Sequence, residues 1–94
     1  MGRVTVQEAR AALMRALATG RVVVSGHAMR DKGGLRTFSE PEIRAELKVA
    51  AASGEVAHDH HGRGRFLAYG IELALVFEVQ APDVVVITAF LQGG

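Results

Sequence analysis

Between Arg65 and Leu91 the chain carries three consecutive runs of apolar residues that read as antiparallel strands. In the middle run Ile71, Leu73, Leu75, Phe77 and Val79 occupy the odd positions, and Glu72, Glu78 and Gln80 fall on the even ones. Successive side chains of a strand face opposite ways, so this alternation predicts one dry face and one mostly wet face. The last run has no such asymmetry. Val84, Val86 and Phe90 share one parity, Val85, Ile87, Ala89 and Leu91 the other, and Thr88 is its lone polar residue. A strand of that kind is expected inside the sheet with cover on both sides. Ala81, Pro82 and Asp83 make the turn between the two runs, because Pro fixes φ and Asp bonds its own backbone.

Upstream the period changes to that of a helix. Thr5 and Glu8 form a capping box, in which the Thr hydroxyl takes the N3 amide and the Glu reaches back. Val6, Ala9, Leu13, Ala16 and Leu17 follow at helical spacing, and Gly20 is the stop, so a helix is predicted over Val6 to Thr19. Residues 21–25 read as a short strand. Ser25 is placed to cap a short helix starting near His27, which Gly33 and Gly34 end. Ser39 and Glu42 make a second capping box with Pro41 in the first turn. Ile43, Leu47, Ala50 and Ala51 line one face of that helix, and Gly54 ends it. Residues 55–57 read as another short strand, and residues 58–64 as a polar loop. Helices followed by a strand meander predict an α+β domain, with N-terminal helices packed on one face of a C-terminal antiparallel sheet.

Composition narrows the class. Ninety-four residues, 49% hydrophobic and 22% charged, suit a single soluble globular domain. With no cysteine there is no disulfide framework and no thiolate metal site, which agrees with a cytoplasmic location. No run is long and apolar enough to span a bilayer, and residues 1–8 lack the apolar core of a signal peptide. The net charge is only +1, yet residues 1–36 hold seven Arg or Lys against two acids, and residues 37–62 hold two against five. A basic first part of this kind suits phosphates.

One set of residues carries a family resemblance. His27 and Ala28 are followed by Arg36, Thr37, Phe38 and Ser39, then Glu42 and Ile43, Gly54 at the helix end, Phe66 and Tyr69 in a strand, and residues 86–90 in the last one. The pattern resembles a small bacterial domain family of uncharacterised function, related to the RelE/ParE-like toxins. It covers residues 22 to 91, so residues 1–20 would be an additional N-terminal helix on a RelE-like domain of residues 21–94. The family's first Arg stands four residues after the His. Here that position is Asp31, and Arg30 lies three residues after His27, which on a helix is still the same face. The resemblance implies a toxin-like metal-independent endoribonuclease or RNA-binding protein of a bacterial toxin–antitoxin system, with RNA and a cognate antitoxin as partners and no cofactor. A non-catalytic protein-interaction domain of the same fold is the alternative.

Metal-free RNA cleavage needs a base for the 2′-hydroxyl, an acid for the leaving oxygen and cations around the phosphorane. His27 suits the proton transfer because its ordinary pKa lies near neutrality. Arg30 and Arg65 would hold the scissile phosphate and Thr88 would orient it, completing a catalytic set of His27, Arg30, Arg65 and Thr88. Arg36, Arg63 and Tyr69 are the expected substrate contacts, with Tyr69 stacking on a base. The expected geometry is one patch, with the opening of the Arg65 strand beside the edge where the first strand ends. His58, Asp59, His60 and His61 invite a metal, but adjacent His residues of one loop rarely converge, so no stoichiometric zinc is expected.

Overall fold

The computed structural model describes residues 4–26, 28–29, 37–59 and 64–92. Their order is α1 (Val6–Thr19), β1 (Val22–Val24), α2 (Glu40–Ser53), β2 (Val56–His58), β3 (Arg65–Tyr69), β4 (Leu73–Gln80) and β5 (Asp83–Leu91). The fold is α+β, two helices with one five-stranded sheet in the order β1-β5-β4-β3-β2. Residues 26, 28 and 29 lie in a turn, and His27 and residues 30–34 of the expected short helix fall outside the described residues.

Local chemistry accounts for the helix ends. Both capping boxes form, Thr5 with Glu8 and Ser39 with Glu42. Each helix stops at a glycine in the left-handed region, Gly20 at φ 74° and Gly54 at φ 77°, where a Cβ would be strained. No basic residue occupies the last turn of α2. Arg10 of α1 supplies the cation instead: its Nε donates to the Ala51 carbonyl at 2.7 Å and Nη2 to the Ala52 carbonyl at 3.4 Å. The terminal carbonyls of α2, which lack helical partners, are thus satisfied from the other helix.

The sheet corrects the sequence expectation in direction. β2, β3, β4 and β5 pair antiparallel, but β1 pairs parallel to β5, through Val22 with Val84 and Val24 with Val86, so the sheet is mixed. A three-residue apolar strand carries no signal for the direction of its pairing. The 58 residues between β1 and β5, residues 25–82, give ample chain for the crossover a parallel pair requires. β5 does lie inside the sheet, between β1 and β4.

A bulge changes which residues of β5 share a face. Val76 pairs with Thr88 and Phe77 with Val86, so Ile87 is the extra residue. Val84, Val86 and Ala89 therefore share one face and are buried, whereas Val85, Thr88 and Phe90 share the other and are half-buried. Strict alternation had grouped Phe90 with Val84 and Val86, and had predicted cover on both sides. Ser25 serves the bulge. Its hydroxyl donates to the Ile87 carbonyl at 3.1 Å, its N–H donates to the Val86 carbonyl, and its Oγ accepts from the Ala28 N–H.

One hydrophobic cluster unites Ala9, Leu13 and Ala16 of α1 with Ile43, Leu47, Ala50 and Ala51 of α2. From the sheet it takes Val22, Val56, Phe66, Ala68, Leu73, Leu75, Phe77, Val84, Val86 and Ala89, which the register places on one face. Ile71, expected on that dry face, precedes β4 and is 74% exposed. It stands in the β3–β4 turn, which α2 holds from outside. Glu46 accepts the Glu72 and Leu73 N–H groups at 3.1 and 3.2 Å, and Gln92 donates to the Gly70 and Leu73 carbonyls. A Cβ on Gly70 would collide with the Glu46 side chain. The turn between β4 and β5 contains a cis Ala81–Pro82 peptide bond.

Two substitutions test this account. Phe77 is fully buried, so Phe77→Ala is expected to destabilise the fold by about 3–5 kcal/mol in urea denaturation. Ser25→Ala leaves the part-buried Ile87 carbonyl without its hydroxyl donor and is expected to cost about 1–2 kcal/mol. A loss no larger than that of an exposed control such as Met14→Ala would mean that the bulge does not depend on Ser25.

Candidate functional site: the second face of the sheet

The residues of opposite parity build a second sheet face that contributes nothing to the core cluster. Register defines its rows. Arg65 of β3 stands beside Glu78 of β4, which stands beside Val85 of β5 and then Val23 of β1. The next row is Ala57, Leu67, Val76 and Thr88, and the third is Tyr69, Ala74 and Phe90. The face thus has a charged end, an aliphatic middle and an aromatic end.

Burial on this face is uneven in an informative way. Ala74 is 0% exposed and Val76 only 8%, although neither belongs to the core cluster. Their cross-strand neighbours explain it, because side chains directly opposite on adjacent strands touch. Tyr69 and Phe90 flank Ala74, and Leu67 and Thr88 flank Val76. The larger residues are half-buried themselves, and Val23 at the edge is 48% exposed.

The charged end carries two ion pairs among the described residues. Arg65 Nε lies 3.5 Å from Glu78 Oε1, with both side chains partly exposed. Arg21 Nη1 lies 3.7 Å from Asp83 Oδ1 beside it. Exposed pairs of this kind contribute little to stability.

Of the expected catalytic set, Arg65 and Thr88 lie on this one face, and so does the expected substrate contact Tyr69. Two strand spacings and two residues separate Arg65 from Thr88, which puts their Cα atoms about 12 Å apart. His27, Arg30, Arg36 and Arg63 lie outside the described residues. The strand order does alter one premise: β5 and β4 stand between β1 and β3, so Arg65 does not open a strand beside the β1 edge. The edge neighbour of β3 is β2, the short strand expected at residues 55–57 and found at Val56–His58.

The His58–His61 loop begins on the other face. The His58 ring sits against Phe66 with centroids 5.2 Å apart, at the margin of the core. His60 and His61 lie outside the described residues, and among the described residues no three His, Cys, Asp or Glu gather as a metal site. The Glu8 carboxyl lies below the ordinary carboxylate range because it accepts the Thr5 N–H and bonds the Thr5 hydroxyl. That shift serves the α1 cap and is remote from this face.

Sequence reasoning passed over Leu67 and Phe90, which stand half-buried on this face beside the buried Val76. The parity of Arg65, Leu67 and Tyr69 in β3 was readable, and so was that of Ala74 and Val76 in β4. The bulge at Ile87 hid Phe90. No described helix is long and apolar enough to cross a membrane. Set against known proteins, the chain matches no protein-family model, no curated protein and no solved structure.

Proposed function

We propose that this chain is a non-catalytic protein-interaction domain that binds through the second face of its sheet, with both helices covering the first. The observation that carries this reading is the middle and aromatic end of that face. Leu67, Tyr69, Val85 and Phe90, all half-buried, share this face around the buried Ala74 and Val76, with ion pairs at one end. Protein partners select for apolar and aromatic centres with few unpaired charges.

RNA binding or cleavage is the second reading, and one observation favours it. Tyr69, Phe90, Arg65 and Thr88 share a sheet face, and sheet faces with exposed aromatic rings stack unpaired bases. Charge argues the other way. Phosphate binding draws its strength from cations that release counterions, and Arg65 and Arg21 each face an acid on this side of the sheet.

Photo-crosslinking in cells separates the readings. A photoactivatable residue at position 67 is expected to yield a protease-sensitive adduct. The same residue at position 49, on the exposed side of α2, is expected to yield none. An RNase-sensitive adduct at position 67 would favour RNA, and equal labelling at both positions would remove the second face as the binding surface. A gel of total RNA after expression supplies the catalytic control. The expected pattern is unchanged RNA; fragments that disappear in His27→Ala would establish the nuclease reading instead.

A further inference from the structure

We draw no further inference here: the strongest candidate, the half-buried patch of Leu67, Tyr69, Val85 and Phe90 on the second face of the sheet, belongs to the surface already described, and nothing in the structure shows what covers it.

Discussion

The single extra residue at Ile87 is the constraint on which the sheet depends. Without it, β5 would run in strict alternation, and no register could bury Val84, Val86 and Ala89 together. Val84 and Val86 share a parity and Ala89 belongs to the other, so only an inserted position between them brings all three to the core face. The same insertion sends Thr88 and Phe90 to the opposite face. It also leaves a backbone carbonyl without its ladder partner, a costly state away from water. The hydroxyl of Ser25, at the exit of β1, takes that carbonyl. One polar side chain thereby links the parallel edge strand, the turn that follows it and the phase of the central strand.

Much of the architecture was legible because local signals were strong and agreed with one another. The capping boxes at Thr5 and Ser39 and the glycines at 20 and 54 fixed both helices to the residue, since each satisfies or ends the backbone hydrogen bonding in one way only. The β3–β4–β5 meander followed from apolar runs separated by turns. Illegible features are those decided by distant residues. The direction of β1 depends on where a long crossover returns. Ile71 left the dry face because Glu46, on α2, holds the adjoining turn through the Glu72 and Leu73 amides. The bulge depends on a serine 62 residues away from the carbonyl it satisfies. No local pattern records any of these.

For the candidate site the same division holds. Arg65, Tyr69 and Thr88 were singled out for their chemistry, as cation, aromatic ring and lone hydroxyl, and they do share a face. Chemistry alone did not reveal their surroundings. Arg65 is engaged with Glu78, and the space between Arg65, Tyr69 and Thr88 is filled by Leu67 and Val76. An aliphatic middle between a neutralised charge pair and two aromatic residues changes what those three side chains can do. It favours burial against another apolar surface over the hydration and mobility that a bound phosphate demands.

The sheet edges are closed to added strands. An open edge offers unpaired backbone groups to any passing strand, and proteins blunt it with short strands and charged side chains. Both edges here are only three residues long. On the β1 side, Arg44 of α2 places its Nη2 2.8 Å from the Val22 carbonyl while also bonding Glu40. That guanidinium occupies an acceptor that an added strand would need. β2 enters its three-residue pairing directly from the α2 stop at Gly54, so little length is left for a further strand to match. Edge-to-edge growth would therefore gain few hydrogen bonds, whereas the face offers apolar area without any unmet backbone group. The short edges and the Arg44 guanidinium thus disfavour extension of the sheet by an added strand.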